Sequence, residues 1–171
     1  MKARELALGG ILAAAAVAVM LLGGLIPVAT YIAPMLASML LVPLLGKLST
    51  GGCVVWYAVV SLLSVLFCAD KETAFVFVFL GWYPAARKPL QKLPRWPRLA
   101  LKLCIFNAAA AALYALLLFV FRLDGLLEEA RTLSLLLGVL LLLMGNAAFL
   151  LFDQLLAAQT KYLELRAGKR K

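Results

Sequence analysis

The chain has 171 residues, of which 65% are hydrophobic and 15% charged, and its net charge is +9. A soluble domain averages about 45–50% apolar and about 25% charged residues, and a fold this small has too much surface for its volume to hide the excess. The composition therefore excludes an ordinary soluble domain and points to one membrane domain over residues 1–171. The positive charge does not indicate nucleic acid, because the basic residues lie between apolar runs and at the chain ends, where anionic lipid headgroups attract them.

A spanning helix needs about 20 apolar residues. Segment one, residues 6–26, follows Lys2 and Arg4. It is too long for the apolar core of a signal peptide and no A-x-A cleavage site follows, so it is expected to be retained. Segment two, residues 31–45, is short and carries Pro34 and Pro43. Segment three is 53–69, and segment four, 73–86, is again short. Segments five, 99–121, and six, 133–156, are long and uninterrupted. The expected fold is an all-α bundle of six transmembrane helices.

Basic residues alternate with the segments. One side collects Lys2, Arg4, Lys47, Arg87, Lys88, Lys92, Arg95, Arg98, Lys102, Lys161, Arg166, Lys169, Arg170 and Lys171, fourteen of the seventeen Lys and Arg. The other side has Lys71, Arg122 and Arg131. The positive-inside rule then places both termini in the cytoplasm of a bacterial inner membrane. Trp56, Tyr57, Trp82, Tyr83, Trp96 and Tyr162 are expected at the same interface, where amphipathic rings settle. Residues 87–98 hold Pro89, Pro94 and Pro97 and are expected to form a basic irregular strap or a short interfacial helix.

Gly10, Ala14 and Ala18 recur every four residues and share one face of the first helix. Small residues in this pattern let a second helix come close; packing within the bundle is the simpler use of them. On this face, and in the six-helix layout with its cytoplasmic ends, the chain resembles the substrate-binding S component of energy-coupling factor (ECF) transporters. The resemblance implies that Gly10, Ala14 and Ala18 meet the coupling helices of a transmembrane T component. It also implies that the loop of Pro27, Thr30 and Tyr31 gates a pocket for a small vitamin-like molecule. The partners would be the T component and the ATPase subunits, since the chain has no nucleotide site of its own.

Asp70-Lys71-Glu72 joins segments three and four on the outer side, followed by Phe75, Phe77 and Phe79. With Thr30 and Tyr31 these make the expected mouth of a substrate pocket, formed by Thr30, Tyr31, Asp70, Glu72, Phe75 and Phe79, because ligand sites are mostly apolar with a few placed polar groups. The alternative is a solvated turn above lipid-facing phenylalanines.

Asn146 and Asp153 are seven apart on segment six, and Asn107 and Tyr114 seven apart on segment five. Polar residues within a span usually face the bundle interior. Asp153, Asn146, Asn107, Lys102 and Arg87 are read as a structural polar clamp, with a proton or ion site as the alternative. Cys53, Cys68 and Cys104 follow no ligand spacing and the chain has no histidine, so no metal or cofactor is expected. No hydrolase, metallopeptidase or phosphate-loop motif occurs, and an enzyme is not expected. A non-catalytic membrane scaffold of the rod-shape protein MreD type is the alternative to the importer subunit. A ligand-sized cavity on the outer side would separate the two.

Overall fold

The computed structural model describes residues 3–26, 29–119 and 135–168. Pro27 of the first loop, Lys2, the stretch 120–134 with Arg122 and Arg131, and the basic residues 169–171 lie outside them. The described residues are helical and form no strand: α1 (Ala3–Gly23), α2 (Ile32–Met39), α3 (Thr50–Phe67), α4 (Lys71–Leu80), α5 (Tyr83–Leu90), α6 (Arg95–Phe119) and α7 (Leu135–Gly168). Four stretches are long and apolar enough to cross a membrane: Ala3–Gly23, Thr50–Phe67, Arg95–Leu116 and Leu136–Arg166.

The two short segments are built differently from the long ones. The eight residues of α2 and the ten of α4 rise about 12–15 Å, roughly half of a hydrocarbon core of about 30 Å. Each pass is completed by a second element. After α2 the chain continues through a 3-10 turn, Val42–Leu44, whose first turn contains Pro43. After α4 it bends at Gly81 and enters α5, with Pro84 in the first turn. Glycine is required at that bend, because a Cβ there would stand 2.6 Å from the Phe77 carbonyl oxygen. The expected strap 87–98 is thereby shortened: Arg87 belongs to α5 and α6 already begins at Arg95.

Helices α2 and α4 occupy the middle of the bundle. Helix α2 packs against α1 and α4, and α4 also touches α3 and α6. Their burial follows from that position: Ala33, Ala37, Ala74, Val76 and Phe77 are all inaccessible or nearly so. Gly23 lets α1 meet α2 at Ala33, where an added Cβ would collide with the alanine methyl. The main core joins Met20, Leu41, Leu44, Trp56, Val60 and Phe77. A second cluster forms where α5 meets α7, around Tyr83, Phe149, Phe152 and Leu156.

Two aromatic expectations are corrected here. Trp56 is buried and donates its indole N–H to the Gly9 carbonyl at 3.1 Å, and Tyr83 is fully buried, so both rings pack inside the bundle and do not face headgroups. Trp96 and Tyr162 are exposed. The phenylalanines differ from the lipid-facing alternative as well, since Phe75 and Phe77 are core residues. Cys53 and Cys68 are buried, whereas Cys104 is exposed.

Contacts at the two ends define the path. At one end the Thr30 hydroxyl meets Asp70 and Tyr31 meets Tyr114. At the other the Gly9 carbonyl meets Trp56, the Met39 carbonyl accepts from Gln159, and Lys47, Gln91 and Arg166 line one groove. Among the described residues these contacts mark an acidic end, at the turn between α3 and α4, and a basic end, where the corner after α2, α5 and the last turns of α7 meet.

Candidate functional site

The acidic end is organised by the turn between α3 and α4. Asp70 caps α4: its carboxylate accepts from the backbone N–H groups of Glu72 at 2.9 Å and Thr73 at 3.4 Å, which have no partner inside a helix's first turn. It also accepts from the hydroxyls of Thr73 at 2.5 Å and Thr30 at 3.2 Å. Lys71 turns the other way and donates to the last carbonyls of α3, Val65 at 2.9 Å and Cys68 at 3.0 Å, where a cation also suits the helix dipole. This charged turn is thus a double helix cap, not a loop solvated on its own.

Glu72 links three elements. Its carboxylate accepts from Tyr31 at 2.6 Å and from Tyr114 of α6 at 3.4 Å, and the two hydroxyls lie 2.8 Å apart. Tyr31 and Tyr114 remain 46% and 39% exposed. Thr30, Tyr31, Asp70 and Glu72 are therefore brought together, with Tyr114 added. Phe75 and Phe79 lie below them but are occupied, packed with Val76, Leu113 and Leu116. Their ring faces are spent on helix packing and do not line an open space.

At the basic end, three helices converge on one carboxylate. Asp153 of α7 accepts from Arg87 Nε of α5 at 2.9 Å and Lys102 Nζ of α6 at 2.5 Å. The Tyr83 hydroxyl donates to the same carboxylate at 2.8 Å. All three charged side chains are about nine-tenths shielded. With the Gln91 amide oxygen turned toward it, the guanidinium of Arg87 also donates to Gln91 at 2.7 and 3.2 Å. Of the expected partners of Asp153, Arg87 and Lys102 reach it and Asn107 does not. Asn107 and Asn146 instead pair reciprocally one level away, at 2.9 and 3.1 Å, binding α6 to α7. Tyr83 was missed as a member of the cluster. The one signal for it is its place four residues before Arg87 (Tyr83 and Arg87 stand one turn apart on a helix face).

Helix α1 buries Gly9, Ala16, Met20 and Gly23. Gly10, Ala14 and Ala18 are exposed, and a Cβ added at Gly10 meets nothing within 4 Å. Among the described residues no three His, Cys, Asp or Glu side chains come together as a metal ion would require. Cavities are found at two places among the described residues. One, of about 10 Å³ and at most water-sized, lies among Pro34, Ser38, Val76 and Phe149. The other, of about 690 Å³, is a groove at the basic end. Neither is at the Tyr31–Glu72 cluster.

Comparison with protein-family models, with curated proteins and with solved structures finds no match to this chain.

Proposed function

We propose that this chain is the substrate-binding membrane subunit of an ECF-type importer of a small, vitamin-like molecule. The observation that carries the reading is the two-faced packing of α1. One face is locked into the bundle, and the face of Gly10, Ala14 and Ala18 is left bare, without side-chain bulk to hold a partner off. Close approach of helix backbones is how membrane helices gain packing energy. In this reading the basic end faces the cytoplasm of a bacterial inner membrane and the Thr30–Tyr31 loop faces outward. A small molecule enters by replacing the mutual bonds of Tyr31, Tyr114 and Glu72 with bonds to itself. A T component and ATPase subunits supply the energy. The test is native mass spectrometry of the protein purified from its own cells. It should carry a T component, ATPase subunits and a retained small molecule, and Ala14→Leu should release the subunits. A chain that purifies without them, and holds no small molecule, ends the reading.

One observation favours a second reading, a non-catalytic scaffold. The acidic end is closed by hydrogen bonds and packed phenylalanines, while the larger space lies at the opposite end. A scaffold would keep the acidic end shut, so Tyr31→Phe and Glu72→Gln would leave its cellular role intact. An importer subunit would lose uptake.

A further inference from the structure

The groove at the basic end is neither a substrate pocket on the outer side nor part of the α1 face. Its floor is apolar, with Val42 and Leu45 from the corner after α2 and Leu156 and Leu163 from α7. Its rim carries Lys47 and Arg166 against one carboxylate, Glu164. Behind the rim, Arg87 and Lys102 share the single carboxylate of Asp153, so the shielded cluster that backs the groove keeps one positive charge in excess. Low-dielectric surroundings strengthen the attraction of such a charge for an anion.

Helix α7 explains the position of the groove. Its 34 residues rise about 51 Å, well beyond a hydrocarbon core of about 30 Å. The last turns therefore leave the hydrocarbon, and Leu156, Thr160 and Leu163 recur at helical spacing along the side that faces the groove. A space with an apolar floor at the depth of the acyl chains and a cationic rim at the depth of the headgroups matches one class of molecule. Its volume of about 690 Å³ is in the range of small-molecule sites, about 300–1,000 Å³. We infer that this groove seats the phosphate headgroup and upper acyl chains of an anionic membrane phospholipid, with Lys47 and Arg166 on the phosphate. The inference does not rest on the importer reading; it needs only the membrane.

The test is native mass spectrometry of the detergent-purified chain with equal amounts of phosphatidylglycerol and phosphatidylcholine. The unaltered protein should keep one phosphatidylglycerol in preference by on the order of tenfold. Lys47→Gln with Arg166→Gln should abolish that preference. Gly46 lines the groove and a Cβ there meets nothing within 4 Å, so Gly46→Phe should fill the space and expel the lipid with no change of charge. Lys92→Gln with Lys161→Gln removes two charges from the same end outside the groove and should leave the preference unchanged. Equal retention of both lipids by the unaltered chain overturns the inference. So does equal loss with Lys92→Gln and Lys161→Gln, which would mean diffuse attraction. Inorganic phosphate binding alone, with the same dependence on Lys47 and Arg166, would make it a free-anion site and likewise overturn it.

Discussion

Asp153 faces two cations, and that excess of positive charge sets unequal costs for removing the members of the cluster. Asp153→Asn leaves Arg87 and Lys102 shielded from water without a counter-charge. Breaking a buried pair from one side costs about 3–5 kcal/mol. Lys102→Met instead leaves one carboxylate and one guanidinium, a neutral pair with the Tyr83 hydroxyl still in place. The expected order in detergent melting is therefore unaltered, then Lys102→Met, then Asp153→Asn well below both. Equal melting of the two variants would show that the excess positive charge does not set the cost. Asp153, Arg87 and Lys102 were legible in the sequence, because a carboxylate inside an apolar run must find a cation and few were within reach. Tyr83 was not legible: a tyrosine beside a tryptophan and a proline reads as an interface ring until the bend at Gly81 turns it inward. Asn107 was legible as a member of the clamp, but which of its members it meets was not. Spacing along α6 puts it on the correct face but says nothing of the vertical offset from α7, which places it opposite Asn146.

The long helices were legible as elements because twenty apolar residues have one stable form in lipid. The short ones were legible only as apolar runs. Their division into α2 with a 3-10 turn, and α4 with α5, depends on Pro43, Gly81 and Pro84 acting on a backbone already enclosed by α1, α3 and α6. The bend can be tested at Gly81. Alanine there would force its Cβ against the Phe77 carbonyl, and the overpacking should cost about 1–3 kcal/mol, read as a lowered midpoint of thermal unfolding in detergent. Helix α1 gives the opposite expectation. Ala14 is exposed, so Ala14→Leu should change stability by no more than about 0.5 kcal/mol. A large loss of stability would mean that this face is packed in the native membrane, and the docking reading would lose its support.

At the scale of the molecule, the expectation of six passes would put both ends of the chain on one side, with charge deciding which side. Reporter fusions after Ala69 and Gly125 should read external and one after Leu93 cytoplasmic; an external signal at Leu93 would invert the assignment. Composition made the membrane character and the four long helices legible at once. What the chain binds was not, since the polar groups of the acidic end mostly satisfy one another and the groove assembles from the corner after α2, from α5 and from α7, which no local pattern brings together.

The Asp153 cluster also has a history within each molecule. Arg87 and Lys102 precede their shared counter-charge by 66 and 51 residues. At about 5–20 residues per second, the ribosome completes Lys102 roughly 3–10 s before it reaches Asp153. During that interval two cations stand between helices with nothing to neutralise them, so α5 and α6 cannot settle until the last helix arrives. Helix α7 thus completes the neutralisation of α5 and α6. Chains stopped ahead of Leu135 should remain exposed to membrane proteases and have short lifetimes in a pulse-chase experiment. Replacing Arg87 and Lys102 together by Met should lengthen them.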